Sequence, residues 1–349
     1  EVVARREGVR TIPVEMAREI DPPRDARALV AVARALAALR PEIVNAGTPK
    51  AALLGMLAAA ALGVPVRVYT MHGLRLETAR GLRRHLLAAA ERTTTALAHR
   101  VWCVSPSLRR EVLARRLAPA AKLTVLAGGS ANGIDPPRYR PEARRDAAAR
   151  AAARAEFDIP AGASAVGFVG RLTRDKGVAE LAEAFEALAA SRPGLWLLLV
   201  GGFEEGDPLP DSVRARLRRH PRVRLAGFVD DDRVPGALTA VDVLALPSRR
   251  EGLPVIALEA AASALPVVAG RATGTVDAVV DGETGTLVPP GDARALADAL
   301  ARYLDDPKLA RAHGEAGRAR AAARFHRDHV WSAVEREYTE LLAAARGIR

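Results

Sequence analysis

Glu251 and Glu259 stand in the stretch Ser248-Arg249-Arg250-Glu251-Gly252-Leu253-Pro254-Val255-Ile256-Ala257-Leu258-Glu259, with seven residues between them. Carboxylates at both positions can accept hydrogen bonds from the hydroxyls of a sugar or a ribose. Gly252 loosens the backbone, Pro254 suits the first turn of a helix, and the free amides of such a turn can hold a phosphate. A second stretch, Gly167-Phe168-Val169-Gly170-Arg171-Leu172-Thr173-Arg174-Asp175-Lys176-Gly177, ends an apolar run in a glycine and sets two cations five residues apart. Gly170 would let the backbone approach a ligand, Arg171 can fork onto a phosphate and Lys176 adds a point charge. Each feature also has a plain structural reading. Glu251 could be a helix-dipole carboxylate, Glu259 an exposed helical residue and 170–177 a solvated loop. The apolar neighbours Leu258 and Ala260 to Ala262 argue against simple exposure of Glu259. Lysine occurs only at Lys50, Lys122, Lys176 and Lys308, which favours a function for Lys176.

The elements that must position these residues alternate. Residues 43–46, 66–70, 101–104 and 123–126 read as strands, and 24–39, 49–62, 80–97 and 106–115 as helices. That rhythm predicts a parallel sheet covered on both faces. The prolines at 136, 137 and 141 break it. A second series follows, with strands at 165–169, 196–200, 223–226, 243–246, 267–269 and 285–288 and helices at 178–190, 211–220, 255–264 and 293–304. Two successive units predict two Rossmann-like, doubly wound α/β domains, and ligands bind such folds at the carboxyl ends of strands. Both charged stretches occupy that position. Residues 326–345 carry an apolar stripe, and the helix they predict packs back toward the first domain. Residues 1–8 read as the tail of a helix and 9–14 as a strand. A start at Glu1 leads us to expect a further strand and helix upstream.

The 349 residues suffice for two domains. The single cysteine, Cys103, excludes an internal disulfide or a cysteine-cluster metal site and fits a reducing compartment. The net charge of +11 comes almost wholly from arginine. A GC-rich genome would explain it blandly; an anionic partner is the sharper reading. Aromatics are sparse and do not interleave with the basic residues, so nucleic acid is the weaker option. Residues 80–116 are rich in arginine and poor in acids, and Leu82, Leu86, Ala90, Thr93 and Leu97 form a stripe. This predicts peripheral docking on an anionic membrane face, with the stripe packed inward and the arginines toward lipid.

The two charged stretches together resemble family 4 of the retaining glycosyltransferases, which have the GT-B fold of two facing Rossmann-like domains and an interdomain cleft. Glu251 and Glu259 are similar to that family's pair of glutamates, and Gly170-Arg171 with Lys176-Gly177 to its phosphate loop. Gly201-Gly202, Gly227-Phe228-Val229-Asp230-Asp231 and Asp281-Gly282-Glu283-Thr284-Gly285 with Val288-Pro289-Pro290-Gly291-Asp292 match in order. In the first half, Asn45-Ala46-Gly47-Thr48-Pro49-Lys50, Tyr69-Thr70-Met71-His72-Gly73, Cys103-Val104-Ser105 and Gly129-Ser130-Ala131-Asn132-Gly133-Ile134-Asp135 resemble the members that build capsular, exopolysaccharide and lipid-linked glycans. The family's glycine-rich loop after the first strand has no counterpart here.

The resemblance implies an acceptor-side domain over 1–140, a nucleotide-sugar domain over 141–325 and a returning helix over 326–349. It implies transfer of a hexose or N-acetylhexosamine from a nucleoside diphosphate sugar, UDP-linked, with retention, to a lipid-linked or growing glycan. No metal and no cofactor beyond the donor are expected. The place implied is the cytoplasmic face of the plasma membrane. His72, Arg171, Lys176 and Glu251 would be catalytic. Gly170, Arg171, Lys176, Val229, Glu251, Gly252, Leu253, Pro254 and Glu259 would bind donor. For a lone histidine a structural role is the better bet; the motif reverses that for His72 alone. Asp230-Asp231-Asp232 contains an Asp-x-Asp that could hold a divalent ion, but it matches the family's loop near the base. A sugar-nucleotide epimerase of the same fold and an inactive scaffold stay open as alternatives. A dinucleotide oxidoreductase lacks its glycine fingerprint.

Overall fold

A computed structural model of the chain describes residues 8–16 and 20–347. The first sheet is parallel, in the order β1 (Ile43–Gly47), β2 (Val66–Met71), β3 (Arg100–Cys103), β4 (Leu123–Thr124). Its helices are α1 (Pro22–Leu39), α2 (Pro49–Ala61), α3 (Gly81–Leu97) and α4 (Pro106–Ala114). Side chains alternate across the sheet. Tyr69, Met71, Val101 and Cys103 join one buried cluster, and Val66, Val68 and Trp102 another.

Two short helices, α5 (Pro141–Arg145) and α6 (Ala147–Glu156), lead into the second sheet. Arg150 and Arg154 of α6 both pair with Asp242. The second sheet has the order β7 (Val223–Gly227), β6 (Leu195–Val200), β5 (Ser164–Val169), β8 (Val243–Leu246), β9 (Val267–Gly270), β10 (Gly285–Val288), all parallel. Strand order reverses between β5 and β8, so the crevice at their carboxyl ends is the ligand position of a doubly wound sheet. The helices of this unit are α7 (Val178–Ser191), α8 (Asp211–Arg219), α9 (Val234–Ala240), α10 (Val255–Ala262), α11 (Thr275–Ala278), α12 (Ala293–Asp305) and α13 (Pro307–Phe325).

The chain crosses between the sheets twice, side by side. Ile134 N–H donates to Phe325 O at 2.8 Å, Arg327 N–H donates to Ile134 O at 2.8 Å, and Arg327 pairs with Asp135 at 2.9 Å. Helix α14 (Arg327–Ala345) then lies on the first sheet. Val334, Tyr338, Leu341 and Leu342 pack on Val66, Val68 and Trp102.

Three sequence expectations change. Residues 9–14 form no strand; Val9 and Ile12 are exposed, and β1 pairs only with β2 among the described residues, so no ladder is open to them. Residues 1–7 lie outside the described residues. The strand expected at 123–126 ends at Thr124, because Leu126–Gly128 tightens into a 3₁₀ turn with Ala127 at φ +45°. Helix α13 was not foreseen. Its sequence is mostly Ala, Arg and Gly, with no apolar stripe to read. It packs by being small: a Cβ at Gly314 would lie 2.2 Å from Ala264 O.

Candidate active site

The loops after β5 and β8 meet at the switch point. Lys176 Nζ donates to Glu251 Oε1 at 2.5 Å, and Ser248 Oγ donates to the same oxygen at 2.7 Å. Both bonds fall on Oε1, so Oε2 keeps its lone pairs for another donor. Gly177 makes this approach possible: it sits at φ +70°, and a Cβ there would lie 2.2 Å from Pro247 O. The flanking residues form a second tie. Arg250 Nη2 meets Asp175 Oδ2 at 2.5 Å, and Asp175 N–H donates to Asp207 at 2.7 Å.

Arg171 does not join the Lys176–Glu251 pair. Its guanidinium is half exposed and turned toward the loop after β6, where it meets Glu204 at 2.6 Å. Glu259 lies two turns along from Glu251, half-buried on α10, and accepts from Tyr139 Oη at 2.7 Å. Burial raises its carboxyl pKa above the ordinary value, an effect that the Tyr139 hydrogen bond and nearby Arg138 oppose. Val229, after β7, has a buried side chain. Asp232 pairs with Arg138 at 3.1 Å. No three side chains of His, Cys, Asp or Glu converge as a metal-ligand set among the described residues. Pro254 caps α10 rather than entering its first turn.

The first domain contributes a wall of different chemistry. A cavity of about 360 Å³ opens at the carboxyl ends of β1, β2 and β3, lined by Asn45, Thr70, His72, Asn132, Trp331 and Tyr338 among others, and, among the described residues, by no Lys, Arg, Asp or Glu. Helix α14 supplies Trp331 and Tyr338, so the returning helix builds part of this wall. Thr70 Oγ1 donates to Asn45 Oδ1 at 2.8 Å, and Asn45 Nδ2 donates to Tyr338 Oη at 2.7 Å. Tyr338 also packs on Trp102, with ring centroids 4.9 Å apart. His72 opens onto the cavity, and partial burial of its ring holds its imidazole pKa below the ordinary value.

Glu251 and this wall adjoin through Gly252. A Cβ at Gly252 would lie 1.9 Å from His72 O, so the first domain's backbone occupies the space of any side chain. Close approach, and not loose backbone, is why glycine stands at 252. Ser105 Oγ donates to Gly252 O at 2.6 Å in a buried bond. Gly274 N–H donates to Ser107 Oγ at 2.7 Å, and Ser107 N–H donates to Asp277 Oδ2 at 2.7 Å. Leu253 is 8% exposed and packs against this seam. Sequence reasoning quoted Ser105 only as motif and passed over Ser107, Tyr139, Asp175, Arg250, Trp331 and Tyr338 as site residues. Arg250 and Asp175 could have been found as the immediate neighbours of Glu251 and Lys176.

The stripe on α3 is also corrected. Leu82 is 75% and Leu86 52% exposed, while Glu91, Thr94 and Thr95 turn inward. Leu97, the last residue of the stripe, does pack on the core, as does Leu87, so only the first turns of the helix turn leucines outward.

Two parallel-sheet α/β domains, with a cation–carboxylate pair at the switch point of the second sheet and a neutral cavity on the first, define a two-domain α/β enzyme of the GT-B class. Residues 2–129 match the family described as glycosyl transferase 4-like domain, and residues 149–320 match glycosyl transferases group 1. The capsular polysaccharide biosynthesis glycosyltransferase CapM of Staphylococcus aureus is 31% identical over 308 residues, covering 88% of this chain and 79% of the relative. The 2-deoxystreptamine glucosyltransferase of Streptomyces kanamyceticus is 30% identical over 305 residues, covering 85% and 76%. Among solved structures, sucrose-phosphate synthase from Thermosynechococcus elongatus superposes with a TM-score of 0.78 at 26% identity, covering 95% of this chain and 83% of that one. HepE of Anabaena, in complex with UDP and glucose, superposes at 0.79 with 22% identity, covering 97% and 88%. The chain belongs to family 4 of the glycosyltransferases and uses a nucleotide sugar.

Proposed function

We propose that the chain moves a hexose or N-acetylhexosamine from a UDP-linked donor to a lipid-linked or growing glycan, with retention and without a metal. The observation that carries this reading is the Lys176–Glu251 pair at the switch point, separated from the neutral cavity only by Gly252 and His72. The complexes of HepE with UDP and glucose and with UDP-glucose support a UDP donor, and CapM supports a capsular or related glycan as product. Lys176 stabilises charge on the departing diphosphate, a contact that strengthens toward the transition state. Arg171 assists once the diphosphate draws it from Glu204. Glu251 turns Oε2 to hydroxyls of the donor sugar, and Glu259 holds the ribose in place of Tyr139. Val229 lies in the loop near the base, while Gly170, Gly252, Leu253 and Pro254 shape the donor backbone contacts. His72 faces the transferred sugar. In the front-face step the acceptor hydroxyl oxygen bonds the anomeric carbon as its bond to the diphosphate breaks. The hydroxyl proton passes to the leaving phosphate oxygen.

The test is a screen of UDP-, GDP- and ADP-sugars with the whole chain, reading nucleotide release and, by NMR, the product's anomeric configuration. Release of UDP with a retained linkage is expected, undiminished by EDTA. Epimerised UDP-sugar, or activity restored only by magnesium or manganese after EDTA, would overturn the reading. We place the acceptor at a membrane surface for one further reason. Leu82 and Leu86 are exposed in the first turns of α3, where Arg80, Arg83 and Arg84 are exposed as well. No helix among the described residues is long and apolar enough to cross a membrane. Co-sedimentation with anionic vesicles at low salt, lost at high salt, is expected; no binding at low salt would remove the membrane from the proposal.

A further inference from the structure

The seam between the domains lands on the neighbours of the two groups that matter most. Ser105 of the first domain donates to the carbonyl of Gly252, the residue after Glu251. Arg250, the residue before Glu251, donates through Nε to Thr78 Oγ1 of the first domain at 3.0 Å and to Asp175 Oδ2 at 2.7 Å. Asp175 precedes Lys176 and also accepts from Thr78 at 3.4 Å. The first domain thus holds the residues on both sides of Glu251 and the residue before Lys176. A buried carbonyl such as Gly252 O needs its donor, so the Ser105 bond forms only when the domains are docked.

We propose that Ser105 and Arg250 are positioning residues, which make formation of the Lys176–Glu251 pair conditional on docking of the two domains. Opening the seam would free the 248–254 loop and let Lys176 and Glu251 part; closing it would set them against the donor. The donor-site roles of Lys176 and Glu251 rest on the function proposed above, but the coupling itself can be measured with no donor present.

The scarcity of lysine supplies the measurement. The chain has four lysines, so brief acetylation with an amine-reactive ester, read by peptide mass spectrometry, reports Lys176 against three internal references. Lys122 donates to three carbonyls within the first domain and Lys50 pairs with Asp25, so both report that domain's own integrity. In Ser105→Ala and in Arg250→Gln, Lys176 labelling should rise about fivefold, the equilibrium factor of one net hydrogen bond, while the other three stay within the wild-type range. Ser105→Thr keeps the hydroxyl and should restore wild-type labelling. Ser105 also caps α4 through Leu108 N–H, so Ser105→Ala removes that cap together with the seam bond. Arg250→Gln leaves the cap intact but also breaks the tie to Asp175 within the second domain, so Thr78→Val, which removes only the first-domain partner and should raise Lys176 labelling likewise, gives the independent readout. Wild-type labelling of Lys176 in these variants, or a parallel rise at all four lysines, overturns the proposal. Adding UDP to the wild type separates the two readings. If UDP gives Lys176 no protection while Ser105→Ala still exposes it, the coupling stands and the donor assignment falls.

Discussion

The two walls of the site solve different problems. The second domain's wall is ionic and local. Lys176, Ser248 and Glu251 come from two loops at one switch point, and each is held by a hydrogen bond to its neighbour. The first domain's wall is neutral and assembled from afar. Asn45, Thr70 and Tyr338 are joined in one chain of hydrogen bonds, although Asn45 and Tyr338 lie on β1 and the last helix. A departing diphosphate needs fixed positive charge, which is strongest where water is partly excluded. A sugar hydroxyl that attacks needs orientation, which amides, hydroxyls and aromatic faces give without competing for the phosphate. The contrast suggests that charge changes on the second wall alter turnover and changes on the first alter acceptor affinity.

The strongest way to break this contrast is at Lys176. Lys176→Ala should lower turnover at least about a hundredfold, the usual cost of one transition-state donor, with the fold intact. Arg171→Ala should cost less, about tenfold, because Arg171 is turned to Glu204 and away from the Lys176–Glu251 pair. Initial rates at saturating donor check both, and equal losses would mean that Arg171 and Lys176 share the phosphate evenly. A finer cut separates the glutamates. Glu251→Gln keeps shape and removes charge, so it should reduce kcat more than it raises donor KM, whereas Glu259→Gln should chiefly raise donor KM and weaken UDP binding. Modest, equal effects on every parameter in both variants would show that neither carboxylate has the role assigned.

The first wall is probed at Trp331, which is 54% exposed at the cavity. Trp331→Ala should raise acceptor KM about tenfold, near the value of one stacking contact, and leave UDP affinity unchanged. A fall in UDP affinity measured by calorimetry would mean that the cavity belongs to the donor.

The contrast also explains what was legible in the sequence. Both sheets announced themselves, because buried parallel strands are continuous apolar runs between helical segments. The ionic wall was legible for the same reason that it works: rare residues, glycines and charge reversals stand close together in the chain. The neutral wall was not. His72 could be picked out by its motif, but Trp331 and Tyr338 read only as one stripe of a helix. Nothing in the spacing says that this helix turns its aromatic residues to β1. Ser105 was legible only as part of a motif; that it caps α4, and that its hydroxyl also bonds Gly252 across 147 positions, appears only in the fold. Tyr139 as the partner of Glu259 is the same kind of fact, visible only once the chain has crossed between the domains.

The last comparison concerns how each sheet buries charge. In the second domain Asp242 is met by two arginines of α6. In the first, Glu91 is 5% exposed and has a hydrogen bond from Tyr69 Oη at 2.9 Å but no cation partner among the described residues. Burial raises its pKa from 4.5 to about 7, against the lowering effect of the Tyr69 bond. The folded state therefore holds this proton more tightly than the unfolded chain. The contribution is complete below pH 4.5 and disappears as pH rises to about 7, so stability from this group falls across that window and is flat above it. Glu91→Gln keeps an acceptor for Tyr69 and cannot ionise. At pH 8 the variant should be more stable than the wild type, by on the order of 2 kcal/mol, with the difference shrinking toward pH 5. Glu77, also raised to about 7 by burial, slopes the same way, so some pH dependence should survive in the variant. Chemical denaturation at pH 5, 6, 7 and 8, followed at Trp102 and Trp331 on the first domain, reads the effect. Parallel stability curves for variant and wild type would mean that Glu91 is ionised in the fold, with a cation or water supplying what Tyr69 alone does not.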